Sequence, residues 1–202
     1  MTLADTLRAA ILSGDLPPGT VLLQTDLAER YRTSRIPVRD ALQRLAADRL
    51  VTVIPGKGAK VVALNREELA EVYDLRILLE CDLVLRAAKL ATPADHIETE
   101  LVLRKSDLDA GRPGWRAGDN AFHTALYAPA QRPRQMALVA ELRDTCAIHA
   151  LRYDHLITKT DQWLSNHQAI FDQWRSGHGA TAAALLAQHI TDARNHLLAQ
   201  MA

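Results

Sequence analysis

Asp119 and His123 stand four residues apart in the stretch DNAFH, and His167 and His189 follow in NHQAIFDQW and ALLAQHI. On a helix, a spacing of four places two side chains on one face, a turn apart. His167 shares a face with Ile170, Phe171 and Trp174, and His189 with Leu185, Leu186 and Ile190, so both lie at the apolar stripes of their segments. One carboxylate and three imidazoles from three helices form a donor set for a divalent transition metal such as Zn, Ni or Mn. The same residues suit a second fate, because a histidine beside an apolar stripe is commonly a core residue satisfied by its neighbours. Periodicity leaves both readings open: it does not say whether the three helices bring the four side chains together. Of the remaining histidines, His96 and His178 read as surface or loop residues. His196, seven after His189 on a similar face, reads as a neighbour of the site.

A second concentration of chemistry is basic. Arg30, Arg32, Arg35, Arg39, Arg44 and Arg49 fall within twenty residues. Arg35 and Arg39 share one face of a helix whose opposite face carries Val38, Leu42 and Leu45. Two guanidinium forks at the N-terminal end of such a helix suit the base edges of the major groove, where an arginine on guanine contributes about 1–3 kcal/mol of discrimination. The alternative is a solvated basic face on a small helical hairpin. Net charge follows the same division: residues 1–63 hold nine Lys/Arg against six Asp/Glu, and residues 64–202 hold fifteen against eighteen. A basic module joined to an acidic one is the expectation.

The elements that position these residues are legible in outline. Leu3, Leu7, Ala10 and Ile11 recur at helical spacing until Ser13-Gly14 and Pro17-Pro18-Gly19 end the pattern. Thr25 is expected to cap a short helix over Asp26–Tyr31, and Ser34 another over Arg35–Ala47, with Pro37 tolerated in its first turn. Two short helices joined by a tight turn make a helix-turn-helix. Val51–Ile54 and Ala59–Ala63 read as strands joined by a Pro55–Gly58 turn, which makes a wing. From Asn65, a plausible cap, the pattern becomes six helices with short connections and no strand signal, which pack best as an antiparallel bundle. Their expected spans are 65–91, 93–110, 116–127, 134–156, 159–176 and 180–200. The fold class is therefore mainly α: a winged helix-turn-helix over residues 1–64, then an all-α bundle over 65–202. Aromatics at 4% with abundant Ala and Leu agree with helices rather than β-sandwiches. Cys81 and Cys146 lie far apart within apolar patterns and are expected to be buried free thiols. No run of eighteen apolar residues or signal-like start is present, so the expectation is a cytoplasmic protein with no membrane partner.

The stretch LRAAILSGDLPPGTVL, followed by DLAERYRTSRIPVRDALQRLAADRLV and PGKGAKV, resembles the winged helix-turn-helix of the GntR family of bacterial transcription regulators. Its most specific part is SRIPVRDAL, where the family typically has Ser-Arg-x-Pro-Val-Arg-Glu-Ala-Leu. The resemblance implies major-groove contacts from Ser34, Arg35 and Arg39, and approach of Gly56 and Lys57 to the minor groove at the wing tip. Two positions depart from the family pattern: Thr25 stands where some members carry Arg, and Arg49 where Gly is common.

The segments DNAFHTAL, NHQAIFDQW and ALLAQHI resemble the metal-binding segments of the FCD effector domain, which follows the GntR reader in the largest branch of that family. The family's ligands fall on Asp119, His123, His167 and His189. VYDLRILLE is similar to that domain's first helix, and the resemblance implies that Arg76 faces an effector pocket; Asn195 and His196 are weaker candidates for effector contacts. With six helices rather than seven, the domain is similar to the compact members of the branch. The function this implies is a homodimeric repressor bound to a pseudo-palindromic double-stranded DNA operator. It would be released by a small organic acid that binds beside the metal. Rival readings are a metal sensor, a regulator with a purely structural metal, and a metalloenzyme fused to a DNA-binding head. No candidate general base accompanies the ligands at a specific spacing, which weighs against the enzyme.

Overall fold

The computed structural model describes residues 2–112, 115–150 and 160–201. The described residues form nine α-helices, a short 3-10 turn and one small sheet. They divide into two compact units: residues up to Leu69 together with the second half of one later helix, and the rest of the helical region.

In the first unit, α1 (Leu3–Ser13) starts at a capping box in which Thr2 and Asp5 satisfy each other's backbone N–H, and it ends at Gly14 in the left-handed region. Helices α2 (Gln24–Arg30) and α3 (Arg35–Ala47) make the helix-turn-helix, and β2 (Val51–Ile54) with β3 (Gly58–Val61) makes the wing. Three details differ from the sequence expectation. A third strand, β1 (Val21–Leu23), pairs antiparallel with β3, giving the order β1-β3-β2. Three residues carry too little alternation to announce a strand, and the partner lies almost forty residues away. Consequently α2 begins at Gln24 after Leu23, and Thr25 is not its cap; the Thr25 hydroxyl instead donates to the Asp26 carboxylate. Ser34 does occupy the N-cap of α3, but its side chain makes no capping bond there.

Gly58 shows why β1 can approach so closely: a Cβ at this position would lie 1.9 Å from the Leu22 carbonyl oxygen. At the far end of α3, Arg49 has φ +56°, the Arg49 N–H bonds the Ala46 carbonyl, and the Leu50 N–H bonds that of Leu45. This is a Schellman ending with arginine at the position that glycine usually fills.

The core of this unit gathers Leu7, Ile11, Leu27, Val38, Leu42, Leu45, Val51 and Val61 around α3. Ile148, from α7 (Pro133–Ala150), is a fully buried member of the same core. The half of α7 from Glu141 onward thus packs as part of this first unit. Polar contacts reinforce it. Arg8 bridges Asp48 at 2.8 Å and Asp144 at 2.6 Å, and the Leu64 N–H donates to Nε2 of His149 at 2.9 Å. The expected extension of α7 to residue 156 lies outside the described residues.

The second unit contains α4 (Arg66–Leu90) from Ala70 onward, α5 (Pro93–Leu108), α6 (Trp115–Tyr127), the first half of α7, α8 (Thr160–Arg175) and α9 (Gly179–Gln200). Asn65 caps α4 as expected, through reciprocal bonds with Glu68 at 2.8 Å. Thr92 and Asp95 form the corresponding box on α5, and the bonds from Thr92 hold the Asp95 carboxyl below its usual range. Leu83, Val84, Leu103, Phe122, Leu126, Ile170, Phe171, Trp174, Leu186 and Ile190 make the bundle core. Both cysteines are free thiols. Cys146 is buried, whereas Cys81 is half-buried and donates to the Ala183 carbonyl; burial, then the Glu80 charge, pushes its pKa up to about 11.

Candidate metal centre and nucleic-acid interface

Helix α6 stacks Asp119, His123 and Tyr127 at intervals of four, so all three face the same way along one turn after another. His167 comes from the apolar stripe of α8, beside Ile170, Phe171 and Trp174, and His189 from that of α9, beside Leu186 and Ile190. The three histidines converge, each buried, with one ligand atom apiece within 4.8 Å of the others. Nε2 of His167 lies 3.2 Å from Nε2 of His189. Oδ1 of Asp119 lies 3.4 Å from Nε2 of His167 and 3.8 Å from Nε2 of His123. Two ligands each about 2.0–2.1 Å from a common ion are themselves separated by roughly 3–4 Å. The three histidines therefore have the donor chemistry and the spacing to hold one divalent ion, and the Asp119 carboxylate lies beside two of them.

A second tier of residues supports this centre. Nδ1 of His123 is 3.0 Å from the Tyr127 hydroxyl, and that hydroxyl donates to Oε2 of Glu80 at 2.6 Å. Nε–H of Arg76 donates to Oε1 of Glu80 at 2.7 Å, and the guanidinium also lies over the Tyr73 ring. Arg76, Glu80, Tyr127 and His123 are all buried. Phe122 packs against His167, and Trp163 meets His189 edge-on with ring centroids 4.9 Å apart. Glu80 and Tyr127 were not among the residues singled out from sequence. The repeat of four that linked Asp119 to His123 continues to Tyr127, and the same spacing links Arg76 to Glu80, so that signal was present.

The other expected effector residues make local contacts on α9. Asn195 is exposed, and its side-chain oxygen accepts from Arg194, which in turn pairs with Asp74 of α4. His196 is half-buried and bonds the Gln200 amide. A cleft of about 60 Å³ opens beside His189, lined by Asn166, Ala169, Leu185, Gln188 and Asp192.

On the other unit, Ser34, Arg35 and Arg39 are exposed at the start of α3, while Val38, Ala41, Leu42 and Leu45 bury its opposite face. Gly56 at φ +71° and the exposed Lys57 form the tip of the wing. A Cβ on Gly56 would meet nothing within 4 Å, so the positive φ, rather than crowding within the chain, accounts for glycine there.

Comparison with known proteins agrees with both halves. The model of the family "Bacterial regulatory proteins, gntR family" matches residues 1–61, and that of the FCD domain matches residues 71–192. The chain belongs to the GntR family. This GntR-family chain is 30% identical over 202 residues to the HTH-type transcriptional repressor GlaR of Escherichia coli, covering 91% of the chain and 89% of that protein. It is 26% identical to the HTH-type transcriptional regulator LutR of Bacillus subtilis, covering 93% and 95% respectively. Its fold is shared with the solved structure of E. coli McbR/YncC, at a TM-score of 0.84 and 22% identity, with 98% of this chain and 96% of that one covered. The family and these relatives are transcription regulators rather than enzymes, so the chain is a DNA-binding regulator with an FCD domain.

Proposed function

We propose that this GntR-family regulator is a repressor whose FCD domain holds a divalent transition ion on Asp119, His123, His167 and His189 and binds a small organic acid beside it. The observation that carries this reading is the convergence of three buried imidazoles and one carboxylate from α6, α8 and α9 at ligand-to-ligand spacing. Four protein ligands on a six-coordinate ion such as Ni or Mn leave positions that a carboxylate or hydroxyl oxygen fills. Arg76 is the effector contact with most support, since Glu80 and Tyr127 connect it to His123; Asn195 and His196 remain weaker candidates. The relative GlaR is itself named a repressor, in keeping with this sign of regulation.

The head would contact its operator through Ser34, Arg35 and Arg39 in the major groove and through Gly56 and Lys57 in the minor groove. Reading a pseudo-palindromic site takes two heads related by a two-fold axis. A homodimer is favoured by the apolar side chains on the outer face of α5, where Ile97, Leu101 and Leu108 are more than half exposed. Among the described residues no helix is long and apolar enough to cross a membrane, in keeping with work on cytoplasmic DNA.

A second reading is favoured by the small cleft beside His189. A volume of 60 Å³ admits a few waters, whereas ligand pockets usually exceed about 300 Å³. On that reading the ion itself is the signal, or it simply braces α6, α8 and α9. Zinc or nickel titrated into chelator-stripped protein tests the metal. Stoichiometric binding that His167→Ala abolishes supports both readings, and no binding by the wild type ends both. Operator binding measured with and without the ion, and then with added hydroxy acids, separates acid sensor from ion sensor.

A further inference from the structure

We propose that Tyr127 is a positioning residue that fixes the tautomer of His123, so that bare Nε2 is presented to the cluster before any ion arrives. This rests on the reading of the cluster as a metal centre, but its basis is the direction of three hydrogen bonds. Glu80 is a fully buried carboxylate that takes Nε–H of Arg76 at 2.7 Å; an ionised carboxylate only accepts. The Tyr127 hydroxyl has one proton, and at 2.6 Å from Oε2 that proton belongs to the bond with Glu80. Toward His123 the same oxygen offers lone pairs only, so Nδ1, 3.0 Å away, must be the donor. A neutral imidazole with its proton on Nδ1 has an unprotonated Nε2.

The competing arrangement places the proton on Nε2 and directs it at Asp119. That carboxylate oxygen is 3.8 Å from Nε2, beyond hydrogen-bond length, whereas the Tyr127 oxygen is within it. Of these two contacts only the shorter is a hydrogen bond, and for the neutral ring it selects the tautomer protonated on Nδ1. An acceptor behind the ring also raises the basicity of Nε2 and holds the plane of the imidazole, which is how outer partners tune metal-ligating histidines. Here the acceptor is a phenol backed by an Arg–Glu ion pair instead of a carboxylate in direct contact.

The test begins with metal-free, full-length wild type. Long-range ¹H–¹⁵N correlation of the histidine rings is expected to show His123 protonated on Nδ1 and bare on Nε2, with the resonance assigned by its loss in His123→Gln. Tyr127→Phe is expected to abolish that signature and to weaken zinc binding, measured by competition with a chromophoric chelator, by about 10- to 100-fold; an affinity within about twofold of wild type would overturn the proposal. A proton on Nε2 of His123 in the wild type would also overturn it, even if Tyr127→Phe does not fold. If the wild type binds no zinc, the metal reading fails while the tautomer measured without metal still decides this one.

Discussion

On α3, Arg39 is 61% exposed and its Nε lies 3.5 Å from the equally open carboxylate of Asp40; on α4, Arg76 is 9% exposed and donates at 2.7 Å to Glu80, which has no exposure at all. The first pair sits in water, where two charges contribute at most about 1 kcal/mol, and the guanidinium can change partners on meeting a base edge. The second pair has given up its hydration and is held in one geometry, so removing one member leaves the other buried without this ion pair. The DNA-reading unit therefore keeps its chemistry at the surface, on a scaffold stabilised from behind by Val38, Leu42 and Leu45. The bundle builds its chemistry into the core, so that site and stability depend on the same residues.

The largest effect expected from this contrast is on folding. Arg76→Ala leaves Glu80 buried without its Arg76 ion pair, and should lower the unfolding free energy by about 3–5 kcal/mol in denaturant titration. Arg39→Ala should leave it within about 0.5 kcal/mol of wild type. Equal losses in the two variants would erase the distinction.

Operator binding should show the reverse. Arg35→Ala or Arg39→Ala is expected to remove about 1–3 kcal/mol of discrimination at the base it reads, measured against operators altered one pair at a time. Zinc affinity should be unchanged in both. A uniform loss across all sequences would make these residues phosphate contacts instead.

Smaller again is the effect at Arg49, whose left-handed backbone is strained for a residue with a Cβ. Its ion pair with Glu141, at 3.8 Å and 75% exposed on the arginine side, does little to compensate. Arg49→Gly should raise stability by about 1 kcal/mol, read as a higher denaturation midpoint. Smallest is Lys57→Ala at the wing tip, which should weaken binding to all duplexes alike and lower the slope of log affinity against log salt by about 1.

These elements were unequally legible in the sequence, for a physical reason. Helix α3 follows from local periodicity and α4 from periodicity together with its Asn65 cap, signals that a window of a dozen residues contains. The convergence of His123, His167 and His189 could be suspected from their places on apolar stripes, but only packing brings α6, α8 and α9 together. Strand β1 escaped because its partner is remote; Glu80 stood at a legible spacing from Arg76, but its contact with Tyr127 spans 47 positions of chain. Ile148 escaped for the same reason, being one apolar residue on a long helix with no local sign of which core it would join.

On the proposed function, an acid bound at the buried histidine cluster weakens the grip of the exposed arginines on DNA. This is tested most directly by fluorescence anisotropy of a labelled duplex from upstream of the gene, with metal-loaded protein and lactate, malate, citrate or gluconate added in turn. At least one acid is expected to raise the operator dissociation constant by about tenfold or more, a coupling of roughly 1.4 kcal/mol, and His167→Ala to abolish the response. A dissociation constant unmoved by all four acids at saturating metal would contradict the proposed function.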